Sequence, residues 1–404
     1  MAAAIQAGAD SVYFGVGKLN MRSNSTKNFT LDDLAEIAKR CKQEDIKSYL
    51  TVNTIIYDED IEEMQKTIDM VKETGISAII ASDISAIEYA REKDVDVHIS
   101  TQQNISNYKA VKYFSQYTDV MVLARELTLE QVSKIVQQCI DDKLMGPNGE
   151  PVRIEVFAHG ALCMAVSGKC YMSLHEYNYS ANRGACLQTC RRSYTVTDND
   201  NGYELEIDQK YIMSPRDLCT IGFLDRIIDA GVRVLKIEGR GRPPDYVKRV
   251  TACYDEAIKA YYDGTYSLEN IKKWETRLSS VFNRGFWDGY YLGRKMGEWS
   301  ELYGSNATRK KVLLGVVSNY FQKIGVAEIT MKSAHIDDGD EIMIIGSTTG
   351  VYEGFANNIR SDDKGEVKRG SKGEIISIKV NDKVRRGDKF FKLVDTAKVI
   401  NNQT

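Results

Sequence analysis

The chain lacks any run near the roughly 20 apolar residues that a bilayer-spanning helix needs, so no such helix is expected. Its start, MAAAIQAGAD, has neither a basic stretch nor a small-residue cleavage site, so no signal peptide is expected. These two absences lead to the expectation of a cytoplasmic protein with no membrane partner. Catalytic landmarks are missing too. There is no H-E-x-x-H zinc motif and no recognisable nucleophile–base–acid triad. A large charge imbalance is also absent: the formal net charge is -3 over 404 residues. The whole surface is therefore no polyanion sponge, although local basic stretches remain.

What is present is concentrated in one stretch. Glu155 to Arg192 holds four of the eight cysteines and two of the four histidines. The cysteines fall as Cys163-x6-Cys170-x15-Cys186-x3-Cys190. In a reducing compartment such density points to metal binding or catalysis rather than to a disulfide framework. Cys41, Cys139 and Cys253 lie in helix-period segments and read as small core residues, with Cys219 as a spare ligand.

Up to about residue 260, short apolar runs alternate with amphipathic helical segments. The strand candidates are Ser11–Gly15, Ser48–Asn53, Ala78–Asp83, Val97–Thr101, Asp119–Ala124, Arg153–Gly160 and Val234–Gly239. Helices are expected over Thr30–Lys42, Asp60–Glu73, Leu129–Cys139, Asp217–Ala230 and Asp245–Tyr262. This alternation predicts an α/β fold with a parallel sheet. Seven strands are visible, and an eighth would close a TIM-type (β/α)8 barrel. The opening AAAIQAGAD reads as a helix already under way, so a barrel lacking its first strand is expected. A truncated or late-assigned start is the preferred reading, and a seven-strand open sheet is the alternative.

Side-chain parity supports the barrel. Lys236, Glu238 and Arg240 share one face of the last strand, and Glu155, Phe157 and His159 share one face of the strand before the cysteines. In a closed barrel these polar sets face the interior. Gln102, Arg125, His159, Glu238 and Arg240 fall at or beyond carboxyl ends of strands, where such barrels keep their sites.

The expected domains are residues 1–265, a barrel with the cysteine-rich insert 155–192, then 266–310, a helical connector packed on it. Residues 311–395 follow as a small C-terminal all-β barrel, rich in lysine and arginine from Lys364 to Lys392.

Four thiolates satisfy either Zn2+ or an iron–sulfur cluster. Only Cys186 and Cys190 form a close pair, and the spacing alone leaves zinc and a cluster equally open. Arg191 and Arg192, directly after Cys190, would offset the negative charge of a four-thiolate centre.

The stretch E-x-F-x-H-G-x-L-C-x-x-x-S-G-x-C, Glu155 to Cys170, resembles the signature of the peptidase U32 (collagenase-like) family. Gly8–Gly15, Ser100–Gln102, Ala124–Leu127, Arg183–Cys186, Ser214–Leu218 and Lys236–Arg240 match as well, so the resemblance covers essentially the whole chain. In that family a strand ending in Pro-Ala-Gly precedes the first helix, and it is missing here. The resemblance implies a [4Fe–4S] cluster, with Zn as the alternative, on Cys163, Cys170, Cys186 and Cys190. Cys190 is favoured over Cys219 by its C-x3-C partner and the CRRSY context. Members of the family hydroxylate tRNA wobble uridine, ribosomal RNA or the ubiquinone ring without oxygen. The length and added β domain look most like members that make 5-hydroxyuridine in tRNA, with prephenate as the implied hydroxyl donor.

On that reading Arg125, Arg240 and Arg242 would hold the dicarboxylate, since a guanidinium pairs bidentately with a carboxylate, and Gln102 would join them in substrate binding. His159, Glu155, Lys236 and Glu238 would carry the catalytic proton traffic. Glu155 paired to Lys236, and His159 as a satisfied interior histidine, are the plainer readings. The lysines of the C-terminal domain would hold the RNA backbone. The competing functions are a protease using Cys163 or Ser167 with His159, and a non-catalytic RNA-binding protein.

Overall fold

The computed structural model describes residues 1–23, 29–195, 197, 199–200, 202, 213–293, 298–300 and 304–396. After α1 (Ala2–Gln6), strands and helices alternate: β1 (Ser11–Phe14), α2 (Leu34–Gln43), β2 (Lys47–Val52), α3 (Ile61–Thr74), β3 (Ala78–Ala81), α4 (Ile84–Glu92), β4 (Val97–Ile99), α5 (Tyr108–Phe114), β5 (Val120–Val122), α6 (Leu129–Asp141) and β6 (Arg153–Ala161). The helices start where local chemistry satisfies their free N–H groups. Thr30 and Asp33 form a capping box ahead of α2, and Thr128 and Gln131 form one ahead of α6. Gly75, at φ 76°, ends α3 in the left-handed conformation that glycine reaches without strain.

Strands β1 to β6 pair in order and in parallel. Then follow α7 (Met172–Tyr177), β7 (Asp217–Cys219), α8 (Leu224–Asp229) and β8 (Val234–Ile237), and β8 joins β6 in parallel. The seven parallel strands are those expected from the sequence. No backbone pairing between β8 and β1 occurs among the described residues. The two are near enough for the Tyr13 hydroxyl to donate to Ile237 O at 3.2 Å. The apolar parity of each strand, such as Val12, Phe14, Leu50, Val52 and Ile79, joins the inward stripes of the helices in one large core.

Asp217–Ala230 does not form the single helix expected. Asp217–Cys219 is instead a strand, antiparallel to the end of β6 and parallel to β9 (Phe286–Trp287). The Asp217 N–H donates to Gly285 O at 2.9 Å, and its carboxylate takes Arg242 and Arg284, so it caps nothing. Tertiary pairing overrides the local helix-start pattern here.

Between these strands lie α9 (Pro244–Tyr262) and α10 (Leu268–Ser279), which form a second core with Tyr246, Tyr254 and Trp274. Ten short strands follow: β10 (Arg309–Phe321), β11 (Val326–Met331), β12 (His335–Asp337), β13 (Glu341–Gly346), β14 (Gly350–Phe355), β15 (Arg360–Ser361), β16 (Gly365–Glu366), β17 (Arg369–Ser371), β18 (Ile375–Lys379) and β19 (Lys389–Asp395). Eight of them form one antiparallel sheet in the order β14-β13-β19-β10-β11-β18-β15-β16 around its own core, while β12 pairs with β17. This β region meets the α/β part at α1 and α9. Gln6 donates to Thr349 O at 2.7 Å and accepts from Val351 N at 3.0 Å, while Lys248 donates to Val351 O at 2.8 Å.

Candidate functional site

The polar residues of the parallel strands and of the segments that follow them fall into two layers. Towards the amino ends, Glu155 on β6 and Lys236 on β8 form an ion pair at 2.8 Å, and both are nearly buried. Beside them Tyr49 and His98 pack ring against ring at 4.4 Å. Burial pushes His98 down to about 4, against the opposing pull of Glu155. This layer is charge-balanced.

The second layer lies at the carboxyl ends. Glu238 follows β8, and its N–H donates to His159 O at 2.9 Å. The Tyr13 hydroxyl on β1 donates to Glu238 Oε2 at 3.4 Å, whereas Glu238 Oε1 is buried with no hydrogen-bond partner. Three guanidiniums feel this carboxylate. The charge of Glu238 is the main cause raising Arg22. Burial lowers Arg125 and Arg240, and Glu238 opposes that lowering in both. Arg125 lies over the Phe157 ring at 3.8 Å and donates to Ala161 O at 3.3 Å, while its Nε is buried without a partner. Arg240 donates to Thr51 Oγ1 at 3.3 Å and to Asn20 Oδ1. Asn20 is fully buried and is itself fixed by bonds to Val16 O and Gly17 O, both at 3.0 Å. It also accepts from Arg22 N at 3.2 Å, so the loop after β1 is ordered around one side chain. Tyr13, Asn20 and Arg22 were not singled out from the sequence. Tyr13 was accessible to the parity rule, because Ser11 and Tyr13 alternate with the core residues Val12 and Phe14.

The cysteine segment lies next to this layer. Cys163 is exposed, and Cys170, Cys186 and Cys190 are half-buried. Their charges reach one another. Burial raises Cys170, with Cys163 and Cys186 adding to it. Burial pushes Cys190 up to about 11, helped by Cys163, Cys186 and Cys170 and opposed by Arg191. Arg22 senses Cys186 and Cys163 as well as Glu238. Cys219 behaves differently. It is pushed up to about 12 by burial, and its charged neighbours are Glu275 and Cys253, none of the other four thiols. Among the described residues, no group of three or more His, Cys, Asp or Glu is gathered tightly enough to hold a single metal ion. The donor chemistry fits a thiolate-ligated centre, with the thiols neighbouring one another without crowding a single point.

Three anchors hold the segment. Arg191 donates to Leu162 O at 2.5 Å and Pro215 O at 2.8 Å. Gly168 packs on Gln102 so closely that a Cβ there would lie 2.9 Å from Gln102 Cγ. Arg183 pairs with the fully buried Asp60, which Lys18 also reaches at 3.2 Å. Burial alone would raise the Asp60 carboxyl, yet bonds from Arg183, Tyr57 N–H and Lys18 hold it at about 2.

Two expected site residues lie elsewhere. The pairing of β6 with β8 slips between Phe157 and His159, a β-bulge that ends the simple alternation. His159 therefore leaves the face of Glu155 and packs among Tyr246, Tyr254 and Phe286, with ring distances of 6.0, 5.6 and 5.5 Å. It is 2% exposed, and burial and then Arg242 push it down to about 3. Arg242 is committed to Asp217 at 2.9 Å and lies over Phe282 at 4.3 Å. Gln102 does stand at the rim, accepting from Ser100, whose hydroxyl also takes Asn53 Nδ2 at 3.3 Å.

The fold and this site define an α/β protein of alternating strands and helices, carrying a thiol-rich segment beside a cluster of arginines at the strand ends. Residues 1–301 match the family model described as Peptidase family U32. The chain belongs to the peptidase U32 family. It is 57% identical over 390 residues to a protein of Porphyromonas gingivalis named collagenase, covering 96% of this chain and 94% of that one. It is 30% identical over 390 residues to the tRNA hydroxylation protein P1 of Bacillus subtilis, covering 94% and 89%. A 23S rRNA 5-hydroxycytidine synthase of Escherichia coli is 35% identical over 303 residues, covering 73% of this chain and 44% of that enzyme. Family and relatives together mark the chain as an enzyme. Among the described residues, no helix is long and apolar enough to cross a membrane.

Proposed function

We propose that the protein is an iron–sulfur-dependent, oxygen-independent tRNA hydroxylase that makes 5-hydroxyuridine at the wobble position, with prephenate as donor. One observation carries this reading. Three arginines, Arg22, Arg125 and Arg240, face a single carboxylate beside four mutually interacting thiols. A cluster of guanidiniums beside the thiols suits a dianionic donor better than a neutral peptide. The relatives named for tRNA and rRNA hydroxylation support the choice of RNA as acceptor.

Cys163, Cys170, Cys186 and Cys190 would hold the [4Fe–4S] cluster, which when bound supplies redox or Lewis-acid chemistry. Arg125 and Arg240 would hold the donor carboxylates. Tyr13 and the unpartnered Oε1 of Glu238 stand where a proton can be held or taken up. Glu155 and Lys236 neutralise each other and set the floor of the pocket.

A peptidase is the second reading, favoured by the collagenase name of the 57%-identical relative. Against it, His159 lies among aromatic rings of the α9 side, where it cannot serve as base for Cys163 or Ser167 while so packed. Mass spectrometry of tRNA nucleosides from a deletion strain separates the two. Loss of 5-hydroxyuridine derivatives, restored by the gene, supports the hydroxylase. Unchanged nucleosides with cysteine-independent gelatin cleavage support the peptidase.

A further inference from the structure

The rim around the thiols carries an unusual surface. Among the described residues six tyrosines are well exposed, and four of them, Tyr57, Tyr171, Tyr177 and Tyr179, are on this rim. Tyr171 is 69% exposed, Tyr57 51% and Tyr179 49%. Two of the four are already stacked by guanidiniums: Arg183 lies over Tyr57 at 4.0 Å, and Arg192 over Tyr177 at 5.2 Å. Met164, Val166 and Leu187 are exposed beside them in sequence. The exposed apolar residues of the C-terminal β region, Leu313, Phe321, Ile324, Phe355 and Ile375, include no tyrosine.

The thiol segment itself leans cationic. Residues 163–192 carry Lys169, Arg183, Arg191 and Arg192 against Glu176. Arg183 answers Asp60 and Arg192 answers Glu176, while Lys169 and Arg191 are in no ion pair among the described residues; Asp58 and Glu59 follow Tyr57 at the edge of this surface. Isolated exposed tyrosines are ordinary. Flat, amphipathic rings interleaved with guanidiniums match the way unpaired nucleobases are held. We propose that Tyr57, Tyr171, Tyr177 and Tyr179 form a stacking platform for the unpaired bases of an RNA loop. This rests on the RNA-hydroxylase reading. It places base recognition on the α/β rim and leaves the C-terminal lysines a backbone role.

The test uses the full-length protein and a fluorescein-labelled anticodon stem-loop RNA, followed by anisotropy at several salt concentrations. The double variant Tyr171→Ala/Tyr179→Ala should bind about ten-fold or more weakly, since each stacked base is worth a several-fold to hundred-fold change. Its salt dependence should keep the wild-type slope, because no cation is removed. Tyr171→Phe/Tyr179→Phe should bind like wild type, which shows that the rings carry the effect and that folding is intact. Lys169→Ala/Arg192→Ala should instead flatten the slope. Wild-type affinity in the double alanine variant would overturn the platform, while RNA binding and product formation by wild type would leave the hydroxylase reading standing. Equal loss in the phenylalanine variant would also overturn it. So would a double alanine variant that keeps RNA but loses a collagen-like peptide or self-association. If wild type binds no RNA, the hydroxylase reading falls and the platform with it.

Discussion

The two polar layers meet along β8 and are finished differently. At the amino end one carboxylate, Glu155, meets one ammonium, Lys236, at 2.8 Å. At the carboxyl end one carboxylate, Glu238, faces Arg22, Arg125 and Arg240, and one of its oxygens has no partner. A buried charge is tolerated when it is paired and is costly when it is not. The first layer meets that condition without help. The second brings three guanidiniums near one carboxylate whose Oε1 has no hydrogen-bond partner, so the first reads as scaffold and the second as site.

The largest expected effect lies where the second layer meets the thiols. Serine at Cys163, Cys170, Cys186 or Cys190 should each abolish iron retention in anaerobically purified protein, with loss of absorbance near 400 nm, which arises from thiolate-to-iron charge transfer. Cys219→Ser and Cys253→Ser should keep full iron content, because neither thiol is an electrostatic neighbour of the four. A colourless wild-type protein with one zinc per chain would remove the cluster. Iron lost from Cys219→Ser and kept in Cys190→Ser would reverse the ligand choice.

Removing a cation from each layer gives the sharpest contrast. Lys236→Met leaves Glu155 buried and alone, and should cost about 3–5 kcal/mol of stability in denaturant unfolding. A loss below about 1 kcal/mol would mean that water reaches Glu155 and that the lower layer is no closed scaffold.

Acid should weaken the scaffold before it touches the donor pocket. His159 is held neutral at about 3 by burial, and His98 at about 4. Their folded values lie below the ordinary histidine value near 6.5, so the unfolded chain binds these protons first. The stability they confer is complete above about pH 6.5 and is lost as pH falls towards about 4 and 3. Asp60, held at about 2, acts in a lower window: its contribution is full above about pH 4 and is lost towards pH 2. Its loss releases Arg183 and the cysteine segment. Urea titrations at stepped pH should show the midpoint falling below pH 6.5, and His159→Phe should shrink that limb. A flat midpoint down to pH 4 would contradict the buried-neutral histidines.

Much of this was legible in the sequence because strand parity is local. Lys236, Glu238 and Arg240, alternate residues along and just beyond β8, reach Glu155, Tyr13 and Asn20, and the seven parallel strands followed from the apolar runs. His159 was not legible, because one extra residue in β6 opposite β8 breaks the period, and nothing in VFAHG marks a bulge. The strand at Asp217 was hidden for a related reason. Asp followed by apolar residues looks like a helix start, and only its pairing with β6 and β9 decides otherwise. Arg22 lies in an irregular loop with no period to read, and it is placed by Asn20, a contact set by the fold.

The smallest expected effect is the most telling for the comparison. Arg125 contributes one main-chain hydrogen bond and a stack on Phe157, and burial already disfavours its charge. Arg125→Met keeps the packing on Phe157 and removes a cation whose charge burial already disfavours. Its stability should therefore change by less than about 1 kcal/mol in either direction, the reverse of Lys236→Met. On the proposed hydroxylase reading its KM for prephenate should still rise by about ten-fold or more, since a charge-assisted pair would be lost at the donor. A stability loss as large as that of Lys236→Met would show that the second layer is balanced as it stands. Its guanidiniums would then be scaffold as well, and the proposed donor would have to be sought elsewhere on the rim.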